Sequence, residues 1–294
     1  MIITKLCGGL GNQMFQYALG RRISYINHMP LILDISEYSL PSAINRTYML
    51  HVFNIEEEFA FSNKIRPVNK PARLLRRYTD KVLKYYRKHI FKLSYIQERH
   101  FHFDPSVLTL TGRVYLQGYW QSEKYFHDIA DIIREDFTFR KEPDEINKRM
   151  AEKIKKTNSV CVHVRRGDYF SNSANNKIHG TCSPDYYKRC ISIIAEKISE
   201  PHFFIFSDEP AWAQENIKPD FSATYVTHND LHKGFEDMRL MMHCKHFIIA
   251  NSSFSWWGVW LSLHPAKIVL APKKWFNIEE FDCRDLIPEG WIRI

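Results

Sequence analysis

In the second half of the chain short apolar runs alternate with longer segments of helical period, and this alternation constrains the fold more than any other feature. "SVCVHV", "HFFIFS", "ATYVT", "HFIIANSS" and "KIVLAP" have the length and apolarity of buried strands. Between them, Ser183 followed by Pro184 opens a helix with Tyr187, Ile191, Ile194 and Ile198 on one face, and "GFEDMRLMMHC" and "FSWWGVWLSL" read as two more helices. Strands joined through helices run in one direction, so the sheet is parallel. The N-terminus begins the same way. "MIITKLCGG" is a strand running into glycines, and "GNQMFQYALGRRISYINH" is a helix with Met14, Phe15, Ala18, Leu19, Ile23 and Ile26 at helical spacing. "PLILDIS" is then a second buried strand, and "RVYLQGYWQSEKYFHDIADIIREDF" predicts a strand, a glycine turn and a helix from about Ser122. The expected class is α/β, with two Rossmann-like domains facing a cleft. The polar stretch "RKEPDEINKRMAEKIKKTNS" separates them and sets the domains at 1–150 and 151–294.

At 294 residues and 45% apolar content the chain can bury a substantial core. Its formal charge of +8 points to an anionic partner: nucleic acid, an acidic membrane surface or a phosphorylated small molecule. Much of that charge lies in residues 64–92, where eleven Lys or Arg face one acid and Leu74, Leu75, Tyr78, Val82 and Tyr85 share a helical face. This basic amphipathic helix either covers a core with its apolar side or rests on anionic lipid headgroups. The six scattered cysteines form no CxxC pair, as expected of reduced thiols. No apolar run approaches the roughly 20 residues of a spanning helix, and no signal peptide is evident, so the expected location is cytoplasmic.

The segment "HVRRGDY" follows the apolar run "SVCV". Successive strand side chains alternate faces, so Val160, Val162 and Val164 share one side while Cys161, His163 and Arg165 share the other. Ligands of parallel α/β sheets bind beyond the carboxyl ends of the strands, where Arg165, Arg166 and Asp168 fall. A guanidinium there suits a diphosphate, because it stays charged and offers a planar fork of donors. Asp168 would hold one arginine in its rotamer; a purely structural Arg-Asp pair at a strand end is the competing reading. In "CGGLGNQM" the backbone N–H groups near Gly11 and Asn12 open a helix and suit a phosphate or sugar, yet the third position of the dinucleotide fingerprint is Met14, which disfavours NAD. Asn251, Ser252 and Ser253 likewise precede a helix, with ordinary capping as the alternative. The chain contains no DxD, HExxH, GxSxG or P-loop, so a diphosphate is expected to be neutralised by arginines and helix dipoles, with no metal and no cofactor.

Taken together, "GGLGNQMFQYALG", "LQGYWQSEKYF", "HVRRGDY" and "DMRLMMHCKHFIIANSSFSWWGVWL" resemble the α-1,2-fucosyltransferases of bacterial surface glycans, relatives of the animal blood-group H enzymes. The resemblance implies a GT-B fold, GDP-fucose as donor, a β-galactoside acceptor and metal-independent inversion. It implies further that Arg165 binds the β-phosphate with Arg166 in support, that His163 lies beside the guanosine and that Asp237 reads guanine. Ser253 would contact the phosphates, Asn12 would lie near fucose and pyrophosphate, and Asp208 would orient the arginines from the next strand. Asp168 is the candidate base, although an arginine partner would make it a weak one. Trp120 is expected either to stack on the acceptor sugar or to serve as a core tryptophan. The acceptor is expected to be a surface glycan such as an O-antigen, carrier-lipid linked, with residues 64–92 meeting the inner membrane from the cytoplasm. Two other readings compete: a different inverting nucleotide-sugar transferase, and a basic RNA- or lipid-binding protein. The second is disfavoured because the aromatics show no stacking-platform pattern, so no nucleic acid is expected.

Overall fold

The computed structural model describes residues 1–39, 46–60, 93–167, 173–278 and 280–294. Packing divides the chain into Met1–Thr138 and Phe139–Ile294. The sequence reading put the break near 150, but residues 139–141 are bound to the second unit. Arg239 donates from Nη2 to the Lys141 carbonyl at 2.7 Å and lays its guanidinium carbon 4.2 Å from the centre of the Phe139 ring.

The first unit contains β1 (Ile2–Lys5), α1 (Leu10–Ile26), β2 (Leu31–Asp34), β3 (Ser94–Gln97), β4 (Val114–Gln117) and α2 (Ala130–Asp136). Its sheet has the order β2-β1-β4-β3, with every pair parallel. α1 is buried along almost its whole length, including the polar Gln13, Gln16 and Arg22. Arg22 leaves it to make a bidentate pair with Asp128, at 2.7 and 3.0 Å, while Tyr17 and Arg21 both donate to Asp136. β3 was not foreseen: "SYIQ" has two exposed ends and too few apolar residues to announce itself. The helix expected from Ser122 starts later. Ser122 caps only a 3₁₀ turn, Glu123–Tyr125, and the extended φ of −146° at Phe126 interrupts the run, so α2 begins at Ala130. The predicted basic helix at 64–92 lies outside the described residues.

The second unit contains α3 (Glu145–Lys155), β5 (Asn158–Val164), α4 (Ser173–His179), α5 (Pro184–Ala195), β6 (Pro201–Ser207) and α6 (Pro210–Asn216). It continues with β7 (Ala223–Val226), α7 (Gly234–Met242), β8 (His246–Ile248), α8 (Ser253–Leu261), β9 (Val269–Ala271) and β10 (Ile292–Arg293). The sheet order is β10-β9-β8-β5-β6-β7, all parallel, which is the doubly wound Rossmann arrangement. The chain enters at β5, winds outward through β6 and β7, then crosses to β8 on the other side. Val160, Val162 and Val164 pack with Tyr187, Cys190, Ile191 and Ile194 of α5 in one core cluster, as the alternation of β5 requires.

Candidate functional site

In a doubly wound sheet the loops leaving the first strand and the strand across from it go to opposite faces, and a crevice opens between them at the carboxyl edge. Here those strands are β5 and β8. Arg165 to Gly167 follow the first, and Asn251 to Ser253 follow the second.

Arg165 is the first residue beyond β5. The Tyr187 hydroxyl fixes the chain at this exit, donating to the His163 carbonyl at 3.2 Å and accepting the Arg165 N–H. One strand over, Ser207 ends β6 and its Oγ accepts the Glu209 N–H at 3.0 Å, a tight turn that projects two carboxylates. Asp208 then serves the whole arginine loop: Oδ2 lies 3.0 Å from Arg165 Nη1, and Oδ1 accepts the Arg166 N–H at 2.9 Å. Gly167 is required by this close approach, since a Cβ there would sit 2.4 Å from Asp208 Oδ2. Arg165 keeps 23% of its side chain exposed at the carboxyl edge of the sheet.

Arg166 points elsewhere. Its Nε donates to Glu209 at 3.1 Å, and its guanidinium lies 4.0 Å from the centre of the Trp212 ring in α6. Both contacts anchor the loop. Sequence reasoning missed Glu209 and Trp212, although "SDEPAW" shows an acid and an indole directly after the carboxyl end of β6.

His163 is buried on the face of β5 opposite Val162 and Val164, 5.7 Å from Phe254 at the start of α8. Burial, reinforced by the Arg165 charge, lowers its pKa to about 3, so the imidazole is neutral. Its Nδ1 has no hydrogen-bond partner among the described residues. Ser252 is the N-cap of α8, its Oγ accepting the Phe254 N–H at 3.3 Å, and Ser253 is the first helical residue. Their neighbour Asn251 binds the His179 and Trp275 carbonyls at 2.8 and 3.0 Å and holds two loops together. A cavity of about 440 Å³ adjoins Asn251 on the side of Arg189, Lys273 and Lys274 but includes neither arginine of the β5 loop.

Asp237 is in the first turn of α7. Its Oδ1 accepts from Asn229 Nδ2 at 2.7 Å, and burial lifts its pKa to about 7 against that bond, with Glu236 adding to the rise. Asp168 lies outside the described residues. Among the described residues no group of three His, Cys, Asp or Glu side chains is placed to hold a metal ion, and no helix is long and apolar enough to cross a membrane.

In the first unit Gly8, at φ +76°, turns the chain from β1 into α1, and a Cβ there would meet Asn12 Nδ2 at 2.5 Å. Gly9 caps α1 without a side chain, so Gly11 and Asn12 stand in its first turn, and Asn12 Oδ1 accepts from Gln121 at 2.8 Å. Trp120 is not a surface platform. It is 1% exposed and edge-on to Tyr125 at 5.7 Å, and Glu98 holds its φ of +56° by accepting the Tyr119 and Trp120 N–H groups at 2.7 and 2.9 Å.

The model of glycosyl transferase family 11 matches residues 1–294. An alpha-1,2-colitosyltransferase of Escherichia coli is 36% identical over 100% of this chain and 99% of its own length. The O-antigen biosynthesis glycosyltransferase WbnK of Escherichia coli is 31% identical, over 92% and 93% respectively. The galactoside 2-alpha-L-fucosyltransferase Sec1 of Mus musculus is 23% identical over 89% of this chain and 64% of that protein.

Proposed function

We propose, because the chain belongs to glycosyl transferase family 11, that it transfers fucose from GDP-fucose to the 2-hydroxyl of a terminal β-galactose, with inversion and without a metal. The observation that carries this reading is Arg165, set by Asp208 at the switch point of the second sheet with part of its side chain exposed. As the bond from fucose C1 to the diphosphate oxygen breaks, negative charge grows on the β-phosphate and the sugar becomes oxocarbenium-like. A guanidinium at that oxygen therefore stabilises the transition state more than the ground state. Arg166 acts through the loop it anchors. Ser252 and Ser253 add the N-terminus of α8 to the phosphate field. Neutral His163 packs against the nucleoside and Asp237 reads its base, while Gly11 and Asn12 serve the sugar side. The acceptor hydroxyl attacks from the opposite face, with Asp168 as the candidate base.

The acceptor is a surface glycan on a carrier lipid, reached from the cytoplasmic side of the inner membrane, with residues 64–92 on its anionic headgroups. O-antigen assembly, named for the WbnK relative, agrees with that setting. A second reading follows from the 36% identical relative: the donor sugar is colitose, which is fucose lacking the 3-hydroxyl. Purified protein with lactose, EDTA and either GDP-fucose or GDP-colitose separates the two. Acceptor-dependent GDP release with a new α-1,2-linked fucose is the expected result. Faster turnover of GDP-colitose would shift the assignment to the second donor, and turnover of neither would discard both.

A further inference from the structure

Asp237 does not stand alone. Asn229 Nδ2 donates to it at 2.7 Å and also to Asn147 Oδ1 at 3.0 Å, while Asn147 Nδ2 donates back to Asn229 Oδ1 at 3.0 Å. Asn147 is fully buried in the first turn of α3. Its second Nδ2 hydrogen and its backbone N–H both go to Asp144 Oδ1, at 2.9 and 3.0 Å, and its Oδ1 also meets His228 Nε2 at 2.9 Å. Every donor and acceptor of the two amides is thereby used in one sense only. Turning Asn229 over would put its oxygen against the Asp237 carboxylate and break the pair with Asn147. The chain of bonds runs from the cap of α3 through the loop after β7 to the first turn of α7, and it fixes Oδ1 while Oδ2 makes no hydrogen bond among the described residues. Asp237 lies on the Cys161 side of β5, the side that also carries His163. The Cys161 thiol is raised chiefly by burial, with Cys244 and the Asp237 charge adding to the rise.

We infer that Asn147 and Asn229 are positioning residues for nucleotide-base selection, holding the Asp237 carboxylate so that its second oxygen accepts from the Watson–Crick edge of a guanine. Guanine offers two adjacent donors on that edge, N1–H and the 2-amino group, and a carboxylate matches them, whereas adenine presents an acceptor at N1. The inference rests on the GDP-sugar reading above and names the residues that make Asp237 selective.

The test is calorimetric titration of GDP and of ADP into the full-length protein and its Asp237→Ala, Asn147→Ala and Asn229→Ala variants. Asp237→Ala is expected to lower the GDP-over-ADP affinity ratio by about tenfold, the lower end of what a base-reading pair is worth, because one carboxylate oxygen is already held by Asn229. Each asparagine variant should lower the same ratio several-fold, raise KM for the GDP-sugar with kcat kept, and add nothing further when combined with Asp237→Ala. An unchanged ratio in Asp237→Ala, or equal GDP and ADP binding by the wild type, overturns the guanine reading itself. A lowered ratio in Asp237→Ala with unchanged ratios in both asparagine variants, or additive losses in the doubles, overturns the positioning role alone. Should Asn147→Ala fail to fold, Asn229→Asp keeps the shape and sets a second carboxylate against Asp237. Its ADP affinity then reports an intact fold, and a GDP-over-ADP ratio equal to wild type would again overturn the inference.

Discussion

Gly167→Ala adds one methyl group and removes no functional atom, so it isolates the geometry of the arginine loop. The new Cβ would lie 2.4 Å from Asp208 Oδ2, where ordinary contacts begin at 3.4 Å, and the carboxylate must therefore retreat by about 1 Å. Gly167 does not occupy the left-handed region, so the backbone itself tolerates alanine. The retreat carries Oδ2 away from Arg165 Nη1, now 3.0 Å away, and pulls Oδ1 off the Arg166 N–H. At an effective dielectric of about 20 the Arg165–Asp208 attraction falls by roughly 1 kcal/mol for that displacement, before any loss of hydrogen-bond alignment. A shift of this size next to the reacting centre is worth up to about 100-fold in rate. The expected outcome is a 10- to 100-fold fall in kcat for donor turnover, with a thermal midpoint close to wild type because both charges stay partly hydrated. Combining Gly167→Ala with Asp208→Ala should cost little more than Asp208→Ala alone. Wild-type kcat in Gly167→Ala would refute the claim that Asp208 sets Arg165.

Arg165→Ala should lower kcat by about 100- to 1000-fold, the scale of one donor that acts on transition-state charge, and Arg165→Lys should recover only part of it; steady-state kinetics with a saturating donor decides. Asp237 gives a pH signature. With its carboxyl raised to about 7 chiefly by burial, guanosine, which has no phosphate to titrate, should bind about tenfold more weakly at pH 6 than at pH 8, and Asp237→Asn should abolish the slope. The same raised value means that without ligand Asp237 favours the folded state most below the ordinary carboxylate range, and that this contribution is lost as pH climbs through about 7. Glu98→Ala strands the Trp120 N–H, while water can reach that of the exposed Tyr119, and should lower unfolding stability by about 1–3 kcal/mol in urea, a loss below about 0.5 kcal/mol being the contrary result.

The strands around the site were legible because a parallel sheet covered on both faces needs unbroken apolar runs, and "SVCVHV" and "HFFIFS" supply them. Their sequential order also puts Arg165 and Asp208 at neighbouring strand ends, so that pair could be anticipated. The direction of Arg166 could not, because its choice between an anion and Glu209 depends on how α6 brings Trp212 under it. Asn147 was hidden for a different reason. It lies in the polar stretch taken for a linker, and polar residues reveal burial only through partners that are distant in sequence, here Asn229. For Trp120 the sequence leaves both a sugar platform and a core residue open, because a tryptophan beside a glycine turn looks the same whether its ring faces solvent or the core. Only the Glu98 carboxylate, itself from the unforeseen end of β3, decides that.

The winding order of the second sheet has a consequence for the newborn chain. β5 is made first yet sits at the centre, and the strand that completes the crevice beside it, β8, arrives only after β6 and β7 have been laid down on the opposite flank. During synthesis Arg165 therefore meets Asp208 well before Ser252 and Ser253 exist, and the loop must hold its shape with one wall missing. The contacts to Asp208, Glu209 and Trp212 all come from that early flank. They make the arginine loop self-supporting through the slow step in which a distant parallel strand must find its place.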